Sequence, residues 1–375
     1  MASFKRKCFY LSGFDPRGAP HYHRLYSEQM EKHARLGGET ISVSRRRAIN
    51  DSIAGWQVVN TTAGVETDYY NLRWDDLVRT AWIREPIRLV MKGLATYWRY
   101  LTRSDWPKVL ALPRHPLTTL YYPLAAMLLI PLLLTAVATG LLAIALPLKW
   151  ALPIAILIGV GGSIPLLVRL RALWLVRLYV FNDALARGRD FRGMNQRLDD
   201  FVEAIAEALA GDADEVLVVT HSNGSIIAVP LMDRLIARLG GQVPAKFALV
   251  TFGQCIPLVA LRRDAGGYRE KIRAIAATAF RWYDISFPAD GACYAMVDPF
   301  ALGQPETVNA SLDLMSPRFF AFYEDGVYQA LRKQKYELHF DYLRCQDRIS
   351  PISLPSLTAG PRPIAESVAA FRAIP

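Results

Sequence analysis

The chain is poor in the residues that staple small proteins and hold metals. Its 375 residues include four cysteines, Cys8, Cys255, Cys293 and Cys345, and no two form a CxxC pair. That scatter excludes a disulfide framework and a zinc ligand set, and it suits a reducing compartment. Histidine is also scarce, six in all, and His21-x-His23 is the one close pair. Only Asp15 lies near enough in sequence to join that pair, so no metal is expected. The net charge is +10, yet no zinc-finger, RNP or helix-turn-helix signature accompanies it. Nucleic acid is therefore not an expected partner. The apolar stretch after Lys7 is too short for a signal peptide and reads as a buried strand. Hydrophobic residues make up 52% and charged residues 21%, which excludes disordered and coiled-coil classes.

The most informative absence is local. From His115 to Leu148 there is no Asp, Glu, Lys or Arg, and Tyr121–Leu146 is an almost wholly apolar run of 26 residues. A second uncharged run of 19 residues follows at Trp150–Val168. About 20 residues of helix cross a bilayer core. The pattern predicts a transmembrane helical hairpin over about 121–146 and 150–168, turning around Pro147–Pro153. Neither run offers a polar face to water. Pro123, Pro131 and Pro165 are tolerable in membrane helices.

Basic residues flank the hairpin. Arg79, Arg84, Arg88, Lys92, Arg99, Arg103, Lys108 and Arg114 precede it, Arg169, Arg171 and Arg177 follow it, and the turn holds only Lys149. Positive flanks favour the cytoplasmic side, so both ends of the hairpin are expected there. Trp82, Ile87, Met91, Leu94, Trp98 and Leu101 recur near helical spacing among the upstream charges. Such helices, at 78–110 and again at 170–190, fit the interface of an anionic membrane; ordinary amphipathic core helices fit the same spacing.

The remainder alternates strand-like and helix-like segments. Cys8–Ser12, Ile41–Ser44, Gln57–Thr61, Val216–Thr220, Phe247–Phe252 and Phe280–Ser286 read as strands. His21–Leu36, Gln196–Ala210 and Gly224–Leu239 read as helices. Alternation of this kind predicts an α/β fold with a mostly parallel sheet. The expected organisation is one α/β domain in two parts, 1–75 and 191–350, interrupted by a membrane insertion at 76–190. A Pro-rich tail at 351–375 is expected to wrap the surface.

Thr220-His221-Ser222-Asn223-Gly224-Ser225 joins a strand to a helix. A strand, a tight turn with a central serine and a helix form the geometry of a nucleophile elbow, and the helix N-terminus favours developing negative charge. An ordinary β–α turn has the same outline. The motif resembles the α/β-hydrolase superfamily, in particular its lipase and esterase members. It departs from their G-x-S-x-G pattern at Thr220, where the side chain must tuck away.

The resemblance covers about 1–75 and 190–350 and implies the triad order Ser, acid, His. Asp290, just beyond the strand at 281–286, is the implied acid, with Asp284 inside that strand as second choice. His339 is the one histidine downstream of both. The backbone N–H of Asn223 and that of Phe14, in the loop after the first strand, are the implied oxyanion donors. Asp15 and Arg17 in the same loop are candidates to contact a substrate head group. Two departures stand out. The first strand looks like the third of the superfamily sheet, and the insertion precedes the nucleophile strand. The reading that results is a membrane-anchored serine hydrolase without metal or cofactor, acting on an ester or thioester of a lipid-like acyl substrate. An acyltransferase on the same triad, or an inactive hydrolase-fold membrane scaffold, would share these residues.

Overall fold

The computed structural model describes residues 3–189 and 193–374. The described residues form a nine-stranded sheet. Its strands are β1 (Phe4–Leu11), β2 (Ile41–Val43), β3 (Arg47–Ala48), β4 (Ile53–Asn60), β5 (Val65–Leu72), β6 (Glu215–His221), β7 (Phe247–Phe252), β8 (Arg281–Ile285) and β9 (Ser311–Met315). The order is β2-β4-β5-β1-β6-β7-β8-β9, with β3 paired to β4. The run from β5 through β9 is parallel, whereas β4 is antiparallel to β5 and β2 to β4. The α/β, mostly parallel expectation therefore holds.

The central strands are apolar because both faces are covered. All seven residues of β6 and all six of β7 are buried. Val216 and Val218 pack into one core, Leu217 and Val219 into the other, as the two-residue period of a strand requires. β1 is the switch point of the sheet. The chain leaves it to build β2 to β5 on one side, then returns to add β6 on the other. A crevice opens at the carboxyl ends of two strands that diverge in this way.

Three segments differ from expectation. β5 was not anticipated, because Val65-Glu-Thr-Asp-Tyr-Tyr-Asn-Leu72 mixes polar and apolar residues. It pairs with β1, so the sheet beyond the first strand is supplied from 41–72. The 351–375 tail does not wrap the surface. Helices Leu354–Ala359 and Ile364–Arg372 pack Leu357, Val368 and Phe371 into the second core. A buried pair holds them. Arg6 donates to Glu215 at 2.6 Å and to the carbonyls of Gly360 and Arg362, while Ile364 N–H donates to Glu215. The third difference is in the hairpin. Its helices run Arg114–Leu142 and Leu148–Arg169, so the turn lies at 143–147. Pro147 caps the second helix and Pro153 is absorbed within it.

Both hairpin helices are long and apolar enough to cross a membrane, and their most apolar windows are only 11% and 28% buried. What the second helix buries is Ala151, Ala155, Gly159, Ser163 and Leu167. Small residues every fourth position let two helix backbones approach closely, the packing expected where no water drives association. The upstream flank forms the helix Pro86–Arg103, which buries Leu89, Gly93, Thr96, Tyr97 and Tyr100 and leaves Ile87, Met91 and Trp98 exposed at 81%, 64% and 67%. The downstream flank differs from the interfacial expectation for 170–190. Helix Ala172–Ala186 is largely buried, and its Phe181, Asn182 and Asp183 face the sheet domain.

Candidate active site

Ser222 follows β6 directly and has a φ of 56°, a left-handed value unusual for a residue with a side chain. Its N–H donates to the Phe252 carbonyl of β7, and its carbonyl accepts from Ser225 N–H and Oγ. The reversal is thus pinned on both sides. Gly224 is required by crowding, since a Cβ there would lie 2.5 Å from the Leu11 carbonyl oxygen and 2.8 Å from that of Ser12. Helix Gly224–Arg238 can therefore start hard against the end of β1. Strain of this kind persists only where surrounding structure enforces it, and it marks functional sites.

His339, in the short helix Lys335–His339, reaches back to the elbow. Ser222 Oγ donates to its Nε2 at 2.7 Å, and its Nδ1–H donates to Asp290 Oδ2 at 2.7 Å. A carboxylate can only accept, so Asp290 fixes the imidazole with its proton on Nδ1 and a free lone pair toward Ser222. Asp290 is fully buried. Burial alone would raise its pKa, but the His339 ring and the donors Ala292 N–H and Tyr342 OH hold it below the usual carboxylate range. Ser222, His339 and Asp290 thus form one hydrogen-bonded chain.

Asp284 stands apart from it. Its Oδ1 accepts from Thr251 and Ser286, and burial pushes its pKa up to about 7. Cys255 Sγ lies 3.9 Å from Ser222 Oγ, but burial raises its thiol pKa and keeps it protonated. Among the described residues no three metal-ligating side chains gather at His21 and His23, and His23 Nε2 bonds the Ser44 carbonyl at 2.9 Å.

The loop after β1 lies against the serine: a Cβ on Gly13 would be 3.2 Å from Ser222 Cβ. Phe14 and Asn223 are buried, and the N–H of neither donates a hydrogen bond among the described residues. Buried N–H groups without partners are rare. Two of them, one on each side of Ser222, are suited to stabilising a negative oxygen. In the same loop Asp15 accepts from Arg17 and from Tyr22 OH.

Several residues of the site were not singled out from the sequence. His221 Nε2 donates to the His339 carbonyl at 2.8 Å, and burial, with the nearby His339 ring, drops its pKa to about 3, so it stays neutral. Tyr342 supports Asp290 from three residues beyond His339. Asn182 of the Ala172 helix donates to the Asn223 side chain at 2.8 Å, tying the insertion to the elbow. The last two depend on tertiary neighbours that no spacing rule encodes. His221 carried a signal, since it adjoins the serine.

Two cavities meet at Ser222 and His339. One, of 440 Å³, is mainly apolar and lies at the end of the hairpin nearest the sheet, between Thr119 and Tyr122 of the first helix and Trp174, Leu178 and Leu258. The other, of 230 Å³, holds Asp15, Arg17, Tyr22 and Tyr336. Compared with models of known protein families, with curated proteins and with solved structures, the chain matches none.

Proposed function

We propose that the chain is a membrane-anchored serine hydrolase of α/β-hydrolase type, cleaving an ester or thioester of a lipid-like acyl substrate. The observation that carries this reading is the chain Ser222–His339–Asp290, with 2.7 Å at both links, set on a left-handed serine at a strand-to-helix turn. A serine hydroxyl is a poor nucleophile until a base takes its proton.

His339 accepts the Ser222 proton as Oγ attacks the acyl carbonyl. Asp290 stabilises the imidazolium and fixes its orientation. The N–H groups of Asn223 and Phe14 receive the oxyanion. The tetrahedral intermediate collapses, and His339 returns the proton to the departing alcohol or thiol. Water then repeats the sequence on the acyl-serine and releases the acid.

The lipid-like acyl group is supported by the apolar cavity at the foot of the hairpin and by the hairpin's exposed apolar surface. The basic flanks support a cytoplasmic catalytic domain.

Fluorophosphonate labelling in isolated membranes tests the reading. Wild type should label, and Ser222→Ala and His339→Ala should each lose the label. No label on folded, membrane-inserted wild type would favour an inactive scaffold. Label retained by Ser222→Ala would mean another nucleophile.

A further inference from the structure

The two cavities at Ser222 differ in charge as well as polarity. Among the residues lining them, Asp15 is the one carboxylate, and it is engaged by Arg17 at 2.6 Å. Arg171 and Lys335 have no such partner; neither makes an ion pair among the described residues. Arg171 lines both cavities.

Arg171 is also held against local preference. Its φ is 57°, in the left-handed region. It is the N-cap of helix Ala172–Ala186, where the helix dipole disfavours a cation. Its guanidinium lies 3.5 Å from the centre of the Tyr336 ring, and the Tyr336 hydroxyl accepts from Arg17 at 3.3 Å. One tyrosine beside the serine thus carries a guanidinium on its face and another on its hydroxyl. Left-handed backbone at a non-glycine residue is disfavoured and persists where structure over-determines it. A planar guanidinium at a fixed site is the usual reader of phosphate or carboxylate.

We infer that the substrate's leaving group carries a phosphate, held by Arg171 with Arg17 beside it, while the acyl chain fills the apolar cavity. The inference rests on the hydrolase reading above. Ser222 Oγ forms the new bond to the acyl carbon. The bond to the phosphate-bearing alcohol or thiol breaks, and that group leaves with the proton from His339. Water then releases the acid. Two sources share this chemistry: an acylglycerol phosphate in the membrane, or a soluble acyl thioester on a phosphate-bearing carrier.

The test uses the full chain in neutral detergent micelles with a fixed fraction of anionic detergent, which holds surface charge constant. One pair of substrates is 1-palmitoylglycerol 3-phosphate and 1-palmitoylglycerol. The other is palmitoyl-coenzyme A and palmitoyl-N-acetylcysteamine. In at least one pair the phosphate-bearing member should show kcat/KM at least tenfold higher, chiefly through KM, and the responsive pair identifies the source. Arg171→Gln should bring that ratio close to one, and Arg171→Lys should fall between. Fluorophosphonate labelling checks that Ser222 and His339 remain assembled in each variant. A labelled wild type with a ratio near one in both pairs, with a ratio unchanged in Arg171→Gln, or with no turnover of any of the four, overturns the inference and leaves the serine reading standing. Loss of labelling in folded wild type overturns both.

Discussion

The hairpin and the central sheet are the two most apolar regions of the chain, and they treat their apolar surface in opposite ways. β6 and β7 leave nothing exposed. The hairpin leaves Leu132, Leu133, Val137 and Leu157 at 61–75% exposure and buries instead a stripe of small residues. Composition alone does not separate the two. What separates them is which residues meet protein. In the sheet, large side chains face protein and the hydrophobic effect holds the layers. In the second hairpin helix, small residues face protein and large ones face outward, an arrangement suited to an apolar surround. The catalytic candidates gather at the carboxyl edge of the sheet, and the insertion meets them there through Asn182 of helix Ala172–Ala186 and through the apolar cavity at one end of the hairpin.

The largest expected effect tests the sheet side. Asp290→Asn should cost about 10³–10⁴-fold in kcat on a soluble ester, because an amide no longer imposes the Nδ1–H tautomer. Asp284→Asn should change kcat less than about threefold, since Asp284 bonds Thr251 and Ser286 rather than His339. Equal losses in the two variants, measured on protein of equal folded yield, would break the assignment.

The next tests the hairpin side. Leu157 is 75% exposed near the middle of its helix. Arginine there replaces a favourable residue with one costing about 2.5–3.5 kcal/mol at a bilayer centre. Leu157→Arg should shift the chain from the carbonate-resistant membrane fraction to the soluble or aggregated fraction by about 100-fold. Leu157→Ala should not. If Leu157→Arg stays membrane-bound, that surface faces something other than lipid.

The same contrast explains what could be read in advance. The hairpin was legible because thirty-odd uncharged residues have few other uses, though its turn lies at 143–147 rather than around Pro147–Pro153, because Pro153 is accommodated inside the second helix. Ser222 was legible because strand, turn and glycine are all local. Asp290 and His339 came from the triad order that the resemblance implies, and neither sits in a local pattern that marks it. β5 and the buried tail were illegible because their stability lies in partners. Val65–Leu72 pairs on both edges despite its polar residues. The tail is held by Arg6 and Glu215, each more than 145 residues away in sequence.

A pH series sharpens the difference between the two buried aspartates. Burial pushes Asp284 up to about 7 from an ordinary value of 3.8. The folded state therefore keeps a proton that the unfolded chain gives up. Its contribution is fully present below about pH 4, is lost as pH rises through about 7, and is flat above. Asp290 is shifted downward, so its contribution is present above pH 4 and lost in acid. Asp284→Asn should flatten the stability of the detergent-solubilised protein between pH 4 and 7, removing a slope of up to about 1.4 kcal/mol per pH unit. A slope that persists in Asp284→Asn would mean that another group titrates.

The smallest effect concerns how each region treats a side-chain hydroxyl. In the hairpin, Thr139 donates to the Thr135 carbonyl at 2.8 Å and Ser163 to that of Val160 at 2.7 Å. A helix always offers a carbonyl one turn back. A central strand offers none, because its carbonyls are committed to neighbours. Thr220, fully buried at the end of β6, has no partner for its hydroxyl among the described residues. It also occupies the position where the resembled motif has glycine. An unsatisfied buried hydroxyl costs about 1–3 kcal/mol, and valine has nearly the same shape. Thr220→Val should therefore raise the melting temperature by about 2 °C, with fluorophosphonate labelling of Ser222 retained. A lower melting temperature would show that the hydroxyl has a partner in solution. A water bridging Thr220 to the turn would then be part of what holds Ser222 in its left-handed conformation, and the threonine would replace by hydrogen bonding what glycine supplies by its lack of a side chain.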